Sequence, residues 1–329
     1  MNLHAHRRAY AALVVGLFAL GASGCGKSSS KDTTPATSAV SEVAPATEGA
    51  ATVETAALSS EAVAAVTAVA AVTEGAAGES TAASAAPADV KLINAGKVTV
   101  CSDIPYAPFE YYENGADGKV IGIDAEIVNA ITADLGLTAD FIKTPFDGIF
   151  AALAAGKCDI IASSVSITDE RKQQNDFTDG YFKIHQTILA RTADASKFVD
   201  LASLKGKTVG AQSATTGADF ANAGSAANGY SVKEFQGADE LLTALKAGTI
   251  DVVIQDSPIN GYAATQSKGD LVVTKVFDGP TDGKGEEYGF VVPKANPGLT
   301  AAMNASLKKL QSAGTYKTIL TKYLGTAVS

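Results

Sequence analysis

Histidine is scarce in this 329-residue chain: only His4, His6 and His185 are present, and the first two fall in a leader segment. Enzymes that rely on imidazole for proton transfer or metal ligation have almost nothing to work with. Cysteine is nearly as rare. Cys25, Cys101 and Cys158 fit no metal-ligand spacing, so neither a metal nor another cofactor is expected. Positive charge is also short, with 26 Lys and Arg against 35 Asp and Glu for a net charge of -9. No basic patch with interleaved aromatics occurs, which argues against nucleic acid as a partner. The hydrophobic content of 46% is ordinary but rich in alanine, which buries little area. The length still allows two domains with a sizeable core.

What is present begins with a processing signal. His6, Arg7 and Arg8 form a basic n-region, and residues 11–20 an apolar stretch too short to span a bilayer comfortably. Ala22-Ser23-Gly24-Cys25 follows and resembles a bacterial lipobox, in which Cys25 is lipidated and becomes the mature first residue. A plain secretory signal is the alternative, and either implies export. Residues 1–25 are thus read as a lipoprotein signal peptide. Residues 26–88, low-complexity Ser, Thr, Ala, Val and Glu, are read as a disordered tether. The folded part is expected outside the cytoplasm, in the periplasm or at the cell surface, anchored to the membrane through Cys25.

The folded part, from residue 89, is organised around residues 159–172, DIIASSVSITDERK. A short apolar run ends abruptly in Ser163, Ser164 and Ser166, as in a buried, parallel strand with polar residues at its carboxyl end. Open α/β sheets place their ligands there. Thr168 is a plausible N-cap, which leaves Arg171 in the first turn of a helix beside free backbone N–H groups. Hydroxyls, amide donors and a guanidinium would converge where a carboxylate fits. Upstream, residues 98–101 read as a strand ending in a stiff loop, Ser102 to Glu110, with two prolines and two aromatics. Residues 121–136 read as a helix capped by Asp124 and stopped by Gly136.

A weak internal echo suggests duplication of this plan. Ala152-Leu153-x-Ala155-Gly156-x-x-Asp159 recurs as Ala244-Leu245-x-Ala247-Gly248-x-x-Asp251, and Gly96-Lys97-Val98 has a parallel in Gly206-Lys207-Thr208. The second copy delivers Gln255 and Asp256 at its strand end, as the first delivers Ser163 and Ser164. The fold expected is α/β, with two lobes aiming strand ends at a shared cleft. Residues 89–190 are assigned to lobe 1, residues 191–288 to lobe 2, and residues 289–329 to a return segment of lobe 1.

Over residues 98–325 the chain resembles the bacterial extracellular solute-binding proteins of polar amino acid ABC transporters, family 3. The motifs include Asp103-x-x-Tyr106-x-Pro108-Phe109-Glu110, Gly122-x-Asp124, Pro145-Phe146-Asp147-Gly148 and Ser166-Ile167-Thr168-x-x-Arg171. Further along come Gln212-Ser213-x-Thr215-Thr216, Asp256-Ser257-Pro258 and Tyr288-Gly289. The resemblance implies a periplasmic-binding-protein-like fold, two lobes joined by two crossing strands, with a free amino acid clamped between them. It implies that Arg171 grips the ligand carboxylate with help from Thr216 and the Ser166 region. Asp256 and Ser164 would take the ammonium, and Ser163 lies beside them. Tyr106 and Phe146 would sandwich the side chain, with Asp103 and Gln212 where selectivity is set. The partners implied are a polar amino acid and an ABC transporter permease, the protein acting as a monomer and not as an enzyme.

Plainer roles stand beside these. Arg171 could face solvent, Asp256 could serve as a turn residue before Pro258, and Tyr106 and Phe146 could be core aromatics. An amino-acid-sensing lipoprotein, or a dehydratase-like enzyme on the same fold, are the competing functions. Ala214 stands where the family commonly has glycine, so a positive φ there would be costly. Cys101 and Cys158 are expected to be free thiols, because parallel neighbouring strands would hold their Cα atoms beyond the roughly 7 Å that a disulfide spans.

Overall fold

The computed structural model describes residues 89–278 and 286–325. The leader, Cys25 and the tether lie outside the described residues. Among the described residues no helix is long and apolar enough to cross a membrane.

The first strand, β1 (Lys97–Ser102), leads through the proline-rich loop to a small hairpin, β2 (Tyr111–Tyr112) and β3 (Val120–Ile121). Helix α1 (Ile123–Asp134) buries Ile127, Val128 and Ile131 at helical spacing and stops before Gly136, whose φ is +68°. Its N-cap is Gly122, not Asp124. Gly122 has φ +123°, and a Cβ there would stand 2.1 Å from the Phe109 carbonyl oxygen, so only glycine lets the two backbones meet. Asp124 turns inward and is fully buried. A cap would have kept it at the surface.

Next come β4 (Thr138–Lys143), α2 (Phe146–Ala154), β5 (Ile160–Ile161), α3 (Asp169–Gln174) and β6 (Asn175–Phe177). Strand β7 (Phe182–Ile184) leaves this lobe, and β8 (Gln186–Arg191) opens the second. After short 3-10 turns follow β9 (Thr208–Gln212), α4 (Thr216–Asn228), β10 (Ser231–Phe235), α5 (Ala238–Lys246), β11 (Val252–Asp256), α6 (Ser257–Gln266) and β12 (Leu271–Val276). The chain crosses back through β13 (Glu286–Tyr288) and ends in β14 (Val291–Pro293), α7 (Pro297–Ser312) and α8 (Thr315–Leu324).

Two five-stranded sheets result, in the orders β4-β1-β5-β14-β6 and β10-β9-β11-β8-β12. In the first, β1 runs parallel to β4 and β5, and the returning β14 is antiparallel to β5 and β6. In the second, β9 is parallel to β10 and β11, and β8 antiparallel to β11 and β12. The second lobe therefore begins at Gln186, before the expected residue 191. Only His185 separates β7 from β8, so no turn signal marks the boundary in the sequence. Strands β7 and β13 pair antiparallel and form the two crossings between the lobes. Aromatics hold that junction, with Tyr181 stacked on Phe290 at 4.5 Å and Phe109 meeting the edges of Phe182 and Tyr288.

The echo is an echo of geometry. Asp159 accepts the Thr99 N–H and donates its own N–H to the Thr99 carbonyl; Asp251 does both with Thr208. Gly156 and Gly248 stop α2 and α5 with φ of +68° and +72°. In each lobe a glycine stop and an aspartate pin the start of a buried strand to its neighbour.

The expectation of free thiols is wrong: Cys101 and Cys158 form a disulfide, with Cα atoms 5.7 Å apart. Free thiols would require Cys158 to lie in the sheet, beside β1 along the strand direction. Strand β5 begins only at Ile160, and Cys158 belongs to the connection descending from α2. Val98 and Val100 pack into one core, and Cys101 joins Cys158, Ile149 and Leu153 in another on the α2 side. Cys158 thus approaches β1 from the helix layer, not along the strand.

Candidate functional site

The cleft between the sheets is built from strand ends. Strand β5 is buried on both faces and gives way to Ser163, Ser164 and Ser166; Thr168 then caps α3 by accepting the Arg171 N–H. Opposite, β9 ends at Gln212, Thr215 caps α4 by accepting the Ala218 N–H, and β11 ends at Asp256. One space is lined by Asp103, Tyr106, Phe146, Ser163, Ser164, Ser166, Arg171, Gln212, Thr216 and Asp256, together with Thr215. The structure brings all ten expected residues together around one space at the lobe junction, the usual place for a small-molecule site.

Arg171 donates to the Ser166 carbonyl in one lobe (2.9 Å) and to the Ala214 carbonyl in the other (3.1 Å). Its guanidinium lies over the rings of Phe146 and Phe150, 5.7 and 5.3 Å from their centroids. Burial pulls its pKa down, and Glu286, Asp219 and Asp256 oppose that fall. Two of five N–H groups are committed, so the fork keeps donors for an anion. The Ser166 and Thr216 hydroxyls meet across the cleft at 3.3 Å.

Asp256 accepts from the Gln186 amide (2.6 Å) and from the Tyr288 hydroxyl. Burial pushes its pKa up to about 6. Asp103 accepts from Gln212 Nε2 (2.6 Å), and burial raises it likewise to about 6. Gln212 Oε1 is buried with no hydrogen-bond partner among the described residues. Opposite charges thus come from the two lobes, and one end of the space offers spare acceptors.

Gln186 and Tyr288, which hold Asp256, went unassigned in the sequence. Tyr288 lies in a recognisable dipeptide, but Gln186 carries no local signal because its role depends on β8 pairing with β11. Ser163 is also tied into the wall behind the cleft: its hydroxyl accepts the Asp103 N–H and donates to Glu110. Among the described residues no cluster of His, Cys, Asp and Glu is arranged to hold a metal.

Residues 98–326 match the profile of the bacterial extracellular solute-binding proteins, family 3. The chain belongs to that family. Among similar proteins is the histidine-binding periplasmic protein of Salmonella typhimurium, 33% identical over 234 residues, 69% of this chain and 87% of the relative. The ABC transporter glutamine-binding protein GlnH of Bacillus subtilis is 31% identical over 217 residues, 64% of this chain and 76% of the relative. Among solved structures, an ancestral arginine-binding protein bound to arginine superposes with a TM-score of 0.65 at 32% identity, covering 70% of this chain and 99% of that one.

Ala214 has φ +62°, a left-handed conformation that glycine would adopt without strain. Left-handed backbone costs a non-glycine residue about 1–2 kcal/mol, against about 0.4–1 kcal/mol of unfolded-chain entropy that alanine saves. Ala214→Gly is expected to raise the unfolding free energy by about 0.5–1 kcal/mol. Urea titration checks this, and a loss of stability would contradict it.

Proposed function

We propose that this protein binds a polar amino acid with a basic or amide side chain and delivers it to an ABC transporter permease. The observation that carries the reading is that Arg171 from one lobe and Asp256 from the other line a single space. A zwitterion needs one cation and one anion on opposing sides. Arg171 and Thr216 take the carboxylate, Asp256 and Ser164 the ammonium, and Tyr106 and Phe146 pack the side chain. Asp103 and Gln212 Oε1, which has no partner among the described residues, accept hydrogen bonds from the N–H groups of a basic or amide side chain. Ligand bridging biases the β7–β13 junction towards closure, and a permease reads the closed shape. The protein acts as a monomer anchored through Cys25.

A thermal-shift panel of the twenty amino acids at pH 7 tests the reading. A ligand present at a hundredfold its Kd adds about 2.7 kcal/mol. Arginine, lysine, histidine or glutamine is expected to raise the Tm; no shift with any of the twenty sinks the proposal. The affinity for a cationic ligand is expected to fall as pH drops through about 6. Asp103 and Asp256 take up protons there, and a bound cation favours their charged forms. Turnover of a carboxylic acid would instead favour a dehydratase-like enzyme. Asp103 and Asp256 are the acids available to one, yet each is bonded to neutral donors with no base beside it.

A further inference from the structure

Beneath the cleft lie two carboxyl groups that touch no ligand space and have no basic partner. Glu110, at the end of the proline-rich loop, and Asp124, in the first turn of α1, are both fully buried. Ser164 joins them: its backbone N–H donates to Asp124 Oδ2 at 2.8 Å, and its Oγ lies 3.4 Å from Glu110 Oε2. Ser164 itself has φ +49°, a left-handed conformation that a non-glycine residue holds only under constraint. No Lys, Arg or His bonds to either carboxyl among the described residues.

The donor inventory decides which carboxyl is charged. Asp124 Oδ2 must accept, since a backbone N–H only donates. Its Oδ1 meets the Tyr181 hydroxyl, for which it is the only acceptor among the described residues. Both Asp124 oxygens therefore accept, and the group is a carboxylate. Ser163 Oγ receives the Asp103 N–H and gives its own hydrogen to Glu110 Oε1. Glu110 Oε2 has only the long 3.4 Å contact with Ser164 Oγ, a hydroxyl that can accept as well as donate, and is the oxygen of the four best placed to carry a proton.

We propose that Glu110 is a neutral carboxylic acid at neutral pH and, with ionised Asp124, is the positioning residue that fixes Ser163 and Ser164 as the floor of the cleft. The ionisable groups facing Glu110 are Asp124 from α1, Asp103 and Tyr106 from its own loop, and Tyr181 ahead of β7, none of them a cation. Burial and the Asp124 charge hold Glu110 well above the usual carboxylate range, and burial raises Asp124 only to about 6. One proton between two adjacent carboxyls avoids two buried like charges. Ionisation of Glu110 at alkaline pH would put that repulsion directly under Ser164 and disturb the contact it offers the ligand.

The proton is tested on the ligand-free protein by infrared spectroscopy at pH 7. A carbonyl band of a protonated carboxyl group is expected, shifting when the protein carries side-chain 13C-labelled glutamate and absent from Glu110→Gln. A protein without a label-sensitive band overturns the assignment. The consequence for affinity rests on the amino-acid-binding reading above. Glu110→Gln, which mimics the neutral acid, is expected to bind within threefold of wild type at pH 7 and to keep its affinity at alkaline pH, where wild type weakens. Asp124→Asn is expected to lose more than tenfold. A folded Glu110→Gln that loses tenfold at pH 7 also overturns the proposal. If wild type binds none of the twenty amino acids, the binding reading fails, and the infrared band still decides the proton.

Discussion

Arg171→Ala is expected to abolish measurable amino-acid binding in calorimetry while the protein stays folded. The guanidinium touches both lobes and lines the cleft, through the Ser166 and Ala214 carbonyls. Truncating one member of a buried, hydrogen-bonded charge pair costs about 2–5 kcal/mol. At 1.4 kcal/mol per decade that is a loss of about 30-fold to several thousand-fold. Arg171→Lys separates charge from shape. It keeps the cation but loses the planar fork and its place over the rings of Phe146 and Phe150, so it should bind more weakly than wild type and better than alanine. An alanine variant within threefold of wild type would remove Arg171 from the site and the zwitterion argument with it.

The second large effect is covalent. The Cys101–Cys158 bridge closes a loop with a sequence separation of 57 residues, for which the chain-entropy estimate is about 4 kcal/mol. A Cys101→Ser/Cys158→Ser double variant is expected to lose about that much unfolding free energy in urea. Wild type with reductant should shift in the same direction, and the variant should not respond to reductant at all. Binding should weaken as well, because the bridge ties β1 to the end of α2, and α2 begins with Phe146 of the cleft. Two titratable thiols in the native oxidised protein, or an unchanged urea midpoint in the double variant, would refute this.

Much of the cleft could be read directly because its residues sit at the ends of locally recognisable elements. The hydroxyls after Ile160 and Ile161, the Thr168 cap and the aspartate closing β11 each depend on a few neighbours in the chain. The disulfide could not be read that way. Strand pairing set where Cys101 lies along the sheet, but not that Cys158 arrives from the layer above it. Asp124 was misjudged for a related reason: an acid in a first helical turn is ordinarily a cap, and its true partners, Ser164 and Tyr181, lie 40 and 57 residues downstream. The start of the second lobe was missed because β7 and β8 follow each other with a single residue between them.

The paired aspartates Asp159 and Asp251 divide each strand into two territories. One end is bolted to its neighbour by the aspartate carboxylate and a backbone bond beside it, and the other end opens on the cleft with side chains that bolting does not constrain. Natural selection, or an engineer, can rewrite the open ends to admit a different guest while the bolted ends hold the framework unchanged.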